Sequence, residues 1–316
     1  MEFSLSLIKA IIAIFVMIAI GFFLGRKKFF TQAESAVMSK IALYIACPCI
    51  IFKGFMIEYQ TERIMGLGMV ALGCLIAMTL FALGAKFLGK TLNFSSIDQA
   101  SLIFTNCGNL LIPILSAVMG DIAVFYLAAY IAIHQIIFFT YGVILLQGKD
   151  QVNLKKIITN PNIIASILGL IYFFVNGLVV PITFPAAVTN AIVNFGNLLT
   201  PLFMLVLGIG LGYSDLKEAF TNKGAFLVCL FRLVVFPLVL IAILTITRIP
   251  AISEVTRDAM FIIVMAGSAP SAATVIGYAA LIGADVKRAS SVNVLTTILC
   301  IVTIPVMTII YTTLFM

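Results

Sequence analysis

The sequence predicts an all-α membrane protein: ten transmembrane helices in two inverted five-helix repeats, with broken helices 4 and 9 crossing one another. Composition, the spacing of the apolar runs and a pairing of irregular segments between the halves predict it. The chain has 316 residues, 63% apolar and 10% charged, with a mean hydropathy of +1.22. A soluble chain is nearer half apolar and a quarter charged. Its 19 basic and 12 acidic residues leave a net charge of +7 spread thinly along the sequence. That pattern excludes a water-soluble enzyme, a disordered chain and a nucleic-acid binder, whose charge would sit on one solvated face. A membrane-spanning helix takes about 20 apolar residues, so a chain of this length has room for about ten. The six cysteines lie in apolar stretches without zinc or redox spacing and read as small packing residues; neither a metal nor a cofactor is implied.

Apolar runs between polar breaks place the spans near residues 5–25, 35–57, 64–89, 97–119, 121–147, 157–178, 187–212, 222–247, 256–282 and 287–315. The first run carries no cleavable signal and is followed by Arg26-Lys27-Lys28, which reads as an uncleaved first span. Thr31-Gln-Ala-Glu34 and Ser96-Ile-Asp-Gln99 fit capping boxes that open spans 2 and 4. The loops after odd-numbered spans, with the span ends that adjoin them, hold thirteen Lys and Arg against four on the other side, Lys53, Arg63, Arg248 and Arg257. By the positive-inside rule the odd loops are cytoplasmic and both termini are extracytoplasmic, in a plasma (inner) membrane.

The halves, 1–150 with spans 1–5 and 151–316 with spans 6–10, echo each other. Pro48 and Pro201 lie 153 residues apart, Gly108 and Gly267 159 apart, and Gly120-Asp121 is matched by Gly283-Ala284-Asp285. Five spans per half is odd, so the second copy enters from the opposite side, the inverted repeat of secondary transporters.

Span 4 contains Phe104-Thr-Asn-Cys-Gly-Asn-Leu-Leu-Ile-Pro113 and span 9 contains Val264-Met-Ala-Gly-Ser-Ala-Pro-Ser-Ala-Ala273. Gly and Pro in mid-span favour unwinding, which lipid tolerates only where the backbone finds protein or water partners. Two facing breaks create half-helix N-termini with unsatisfied N–H groups and positive dipole ends, a site for an anion such as a carboxylate. Asn106, Asn109, Ser268 and Ser271 are the candidate hydrogen-bonding residues, and Gly108, Pro113, Gly267 and Pro270 shape the breaks. Ordinary packing kinks are the competing reading, and the one favoured for Pro48 and Pro201.

Charges within spans are candidates for gating or coupling. Lys9, Lys53 and Lys86 lie near span ends and can snorkel. Arg232, about ten residues into span 8, either snorkels, pairs with carbonyls or reaches the anion. His134, mid-way along span 5 beside Gln135, is either a proton-binding switch or a neutral imidazole bonded to a neighbouring carbonyl. No carboxylate lies deep in a span, so a mechanism driven by protonating a buried acid has no support here.

Asn106-Cys-Gly-Asn109-Leu-Leu-Ile-Pro113 resembles the crossover segment of the auxin efflux carrier family. Ile45-Ala-Cys-Pro48-Cys-Ile-Ile-Phe52, Asn160-Pro161-Asn162 and Ser166-Ile-Leu-Gly169-Leu extend the resemblance over essentially the whole chain. It implies a bacterial malate-permease-like carrier whose spans 4 and 9 cross at unwound centres. Spans 1, 2, 6 and 7 would then form a scaffold, spans 3–5 and 8–10 a moving transport domain, and a homodimer could form through the scaffold. Span 3 contains neither Asp nor Glu, where plant members carry an acid linked to proton handling.

The expected function is secondary transport of a small organic anion, a carboxylate such as malate or an auxin-like acid, with the lipid bilayer and the anion as partners and no nucleic acid. Facilitated diffusion, exchange and sodium coupling of the bile-acid type stay open, as does a sensor that binds without carrying. An intramembrane enzyme is disfavoured: there is no His-Glu-x-x-His, no pair of embedded Asp, and a single His.

Overall fold

A computed structural model describes residues 2–316, with side chains from Lys9 onward. Among the described residues the regular elements are helices, and eight are long and apolar enough to cross a membrane. They are α1 (Glu2–Arg26), α2 (Gln32–Gly54), α3 (Thr61–Thr91), α6 (Asp121–Gln147), α7 (Pro161–Leu178), α8 (Ala186–Tyr213), α9 (Lys223–Thr247) and α12 (Val286–Phe315). The two remaining predicted spans are divided. Residues 97–119 become α4 (Ser96–Ile103) and α5 (Cys107–Met119), and residues 256–282 become α10 (Glu254–Ser268) and α11 (Thr274–Leu281).

Prolines explain much of the local irregularity. Pro48, Pro113 and Pro237 lack the N–H that residue i−4 would accept, and each ring crowds that residue's carbonyl. The residues four back, Tyr44, Asn109 and Leu233, all lie in five-residue π turns (Ala42–Ala46, Cys107–Leu111 and Phe231–Val235). The wider turn relieves the clash without ending the helix. At Asn160-Pro161 the proline instead opens α7, where its missing N–H costs nothing, and Asn160 Oδ1 accepts from the N–H groups of Asn162 and Ile163.

The helix starts agree with the sequence at span 2 and differ at span 4. Thr31 and Glu34 form the expected capping box. For α4 the pair is Ser95 and Asp98, not Ser96 and Gln99. The carboxylate serves two purposes that an amide cannot: Asp98 Oδ2 accepts from the Ser95 N–H and hydroxyl, while Oδ1 forms an ion pair with Arg288 Nε at 2.7 Å.

The chain divides into two compact units. The first comprises Met1–Leu67, Gly108–Ala132 and Lys155–Tyr213. Its main packing joins α1 to α8 through glycines: a Cβ on Gly21 would run into Leu205 O, and one on Gly208 into Ile18 O. Gly25 and Gly212 continue the same close approach one turn on, so each helix carries a small-xxx-small pair that lets the backbones meet. An aromatic cluster fixes the end of α2, with Phe55 against Phe125 and Phe125 against Phe173 at centroid distances of 5.2 and 5.0 Å. Lys53, expected to snorkel, pairs with Asp121 at 3.0 Å.

The second unit comprises Gly68–Cys107, Ile133–Leu154 and Ser214–Met316. Here α12 packs on α4, α9, α10 and α11. The Asp98–Arg288 pair, with Arg288 Nη1 also donating to Asn222 Oδ1 at 2.6 Å, ties the N-termini of α4, α9 and α12 together.

The glycine contact between α1 and α8 yields a paired prediction. Gly208→Ala places a methyl against backbone and lowers stability by about 1–3 kcal/mol, the usual cost of overpacking. Gly210→Ala, where nothing lies within 4 Å of the new Cβ, leaves the melting temperature of purified protein unchanged.

Candidate functional site

The breaks in spans 4 and 9 both belong to the second unit and pair with each other. After α4 the chain becomes extended at Phe104 (φ −94°, ψ 132°), and after α10 at Ala269 (φ −68°, ψ 154°). Ala269 precedes Pro270, and the residue before a proline is driven out of helical geometry. The stretches 104–106 and 269–273 run antiparallel through a bridge between Thr105 and Ser271. The Asn106 N–H donates to Pro270 O at 2.8 Å and the Ala272 N–H to Phe104 O at 3.0 Å.

Side chains from three other helices satisfy the remaining backbone groups. From α6, His134 Nε2 accepts the Thr105 N–H at 3.0 Å. From α12, Thr296 Oγ1 accepts the Ser271 N–H at 3.2 Å, and Asn293 Nδ2 donates to Ser271 O at 2.8 Å. From α9, Arg232 donates through Nη1 to Leu102 O at 3.2 Å and through Nη2 to Ala269 O at 3.0 Å. Arg232 is fully buried, with its guanidinium carbon 5.4 Å from the centre of the Phe81 ring, which itself stacks on Phe236 at 4.9 Å.

Of the sequence-predicted residues, Asn106, Gly267, Ser268, Pro270, Ser271, His134, Gln135 and Arg232 lie in this unit. Ser268 is buried and its hydroxyl donates back to Val264 O at 2.8 Å, inside its own helix. Ser271 contributes through its backbone. Gly267 lies in the last turn of α10, where a Cβ would meet Leu240 Cδ1 at 2.9 Å and the Phe81 ring at 3.2 Å. Arg232 pairs with carbonyls, one of the three roles open to it, and with no exposed surface it does not snorkel. His134 accepts a backbone N–H through Nε2, so the nitrogen facing Thr105 presents a lone pair. Gln135 is half-buried beside it.

Gly108, Asn109 and Pro113 lie in the first unit, within the helical segment that follows the break. Gly108 has ordinary packing there, with Ile131 Cδ1 3.5 Å from the position of a Cβ. The extended residues are therefore Phe104-Thr105-Asn106, upstream of the Gly and Pro that mark the region in the sequence.

The profile of the membrane transport protein family matches residues 6–154 and again 149–308. The chain belongs to that family. The family takes in auxin efflux carriers and malate permease-like proteins, so this membrane transport protein is a transporter and not an enzyme. None of the curated proteins compared with it matches the chain.

Three residues of this transporter's crossover escape a reading of the sequence. Asn293 and Thr296 carry a weak signal as polar residues one turn apart within an apolar span. Thr105 carries none, yet it is 3% exposed and its hydroxyl has no hydrogen-bond partner.

Two neighbouring threonines on α12 separate the crossover's requirements from general packing. Thr296→Val leaves the buried Ser271 N–H without its acceptor and costs about 1–3 kcal/mol. Thr297→Val removes a buried hydroxyl that has no partner and leaves stability unchanged or raised. Thermal melts of the two purified variants check the contrast.

Proposed function

We propose that this transporter carries a small organic anion, a carboxylate of the malate type, across the plasma membrane by alternating access, with the anion bound at the crossover. The observation that carries the reading is the crossover itself: a buried, non-helical crossing from which α11 starts. The first N–H groups of α11, at Ala273 and Thr274, follow the pinned residues Ser271 and Ala272 and lie at exposed positions. N–H groups in the first turn of a helix have no intrahelical acceptor and carry the positive end of its dipole. A carboxylate there accepts hydrogen bonds without a protein cation of its own. The unpartnered Thr105 hydroxyl and the Asn106 side chain are neutral groups on the paired strand that can complete its solvation.

In this reading ten spans form two inverted five-span repeats, with both termini extracytoplasmic. Support comes from the loop charge bias, from the one-per-half family matches and from the placement of both divided spans fourth in their halves. The scaffold is made of spans 1, 2, 6 and 7 and the transport domain of spans 3–5 and 8–10. The placing of α1, α2, α7 and α8 in one compact unit and of α9–α12 in the other supports that division for those helices, whereas Gly108–Ala132, from spans 4 and 5, groups with the former. Asn109, three residues beyond Asn106, is assigned to the substrate path by its place in the sequence motif.

Uptake of radiolabelled malate into proteoliposomes tests the proposal. A hydrogen bond to a charged group contributes about 1.5–3 kcal/mol, so Asn109→Ala lowers uptake at least about tenfold. Folded yield stays at the wild-type level. Unchanged uptake removes Asn109 from the site, and binding of malate without uptake replaces the carrier by a sensor.

A further inference from the structure

The charge on Arg232 has no part in the anion site just described, and its surroundings give it another. Helices α4 and α10 both run toward the crossover with their C-terminal ends, and a helix C-terminus carries roughly half a negative charge on its unsatisfied carbonyls. Two such ends brought together in a dry interior amount to about one unit of negative charge. Arg232 donates to both, to Leu102 O in the last turn of α4 and to Ala269 O at the end of α10. The only buried carboxylate among the described residues, Asp98, is bound to Arg288 and Ser95.

We propose that Arg232 is the fixed counter-charge of the crossover, filling the electrostatic role that a coupling sodium ion would otherwise fill, so that the carrier works without sodium. A guanidinium cannot lose its proton in a protein, and its planar fork reaches two carbonyls at once. The π turn Phe231–Val235 carries the side chain, and the Phe81 ring, itself stacked on Phe236, supports it with a cation–π contact. Gly267 leaves room for the Phe81 ring at that point. A positive charge built into α9 moves with the crossover and cannot be exchanged with solution. A second cation beside it would be repelled. Arg232 is thus a positioning residue that holds the two helix ends together and determines which ions the cycle needs.

This inference assumes the carrier reading only for its transport arm, and its first test uses no substrate. Purified protein is melted in sodium, potassium and choline chloride at equal ionic strength. Wild type melts at the same temperature in all three. Arg232→Ala melts lower by about 5 °C or more, consistent with the loss of a buried bridging group. It is raised by millimolar methylguanidinium but not by methylammonium, whose single ammonium cannot bridge two carbonyls. If Arg232→Ala fails to fold, Arg232→Lys takes its place: it keeps the charge but lacks the fork, and melts below wild type, equally in sodium, potassium and choline, with no rescue by methylguanidinium because its own ammonium occupies the site. In proteoliposomes, malate uptake by wild type is equal with inward sodium and inward choline. A wild-type melt or uptake that requires sodium overturns the proposal, as does an Arg232→Ala protein that melts as wild type does. Absence of malate uptake under every condition counts against the carboxylate reading, while the melts still decide the role of Arg232.

Discussion

A helix that unwinds inside a bilayer exposes backbone N–H and C=O groups that lipid cannot satisfy, and each unsatisfied group costs several kcal/mol. The second unit meets that constraint by placing two unwound stretches against each other. Phe104 O, Asn106 N–H, Pro270 O and Ala272 N–H satisfy one another across a bridge of minimal length. What the bridge cannot reach is assigned to side chains: Thr105 N–H to His134, Ser271 N–H to Thr296, Ser271 O to Asn293, and the helix-end carbonyls to Arg232. Each break is tolerable because the other is there.

Several features elsewhere in the unit follow from that requirement. Helix α12 carries Asn293 and Thr296 one turn apart, so one face of a single helix reaches both backbone groups of Ser271. The π turn that Pro237 imposes on α9 carries Arg232, whose side chain reaches both helix ends. Helix α6 has another at Phe138–Gly142, where the absence of a side chain on Gly142 admits the Phe104 ring. The ion pair of Asp98 with Arg288 then fixes the opposite end of α4, so that its C-terminus is held at the crossover from both directions. Ser101, Thr105, Thr297 and Thr303 each keep a hydroxyl without a partner in this unit, and of these Thr105 alone lies in the extended crossing.

How legible this was in the sequence depended on whether the cause was local. The all-helical membrane class followed from composition. The end of α10 was readable because Ala269 precedes Pro270; the start of α7 was set at residue 157, although Asn160-Pro161 combines a cap with a residue suited to the first turn and opens the helix at Pro161. The end of α4 was not placed correctly by Gly108 and Pro113. Those residues lie in the following helix, where the proline demands a π turn, and the chain extends upstream at Phe104 because residues 269–273 offer it a partner. No short-range pattern encodes that pairing. Arg232 presented the same difficulty: its partners lie 130 and 37 residues away in sequence, so its position in an apolar span flagged it without revealing its role. Ser96 and Gln99 imitated a capping box because the true one, Ser95 and Asp98, is offset by a single residue.

The two non-helical stretches form a hydrogen-bonded crossing, and the transported anion is proposed to bind at its α11 end. Hydrogen–deuterium exchange of the purified protein, with and without malate, addresses both parts. Slow exchange is expected at Thr105, Asn106, Ser271 and Ala272 despite their non-helical backbone, because their N–H groups are bonded and all four residues are buried. Malate is expected to slow exchange selectively at Ala273 and Thr274. Rapid exchange throughout both stretches, or malate protection confined to helices away from the crossover, would contradict these expectations.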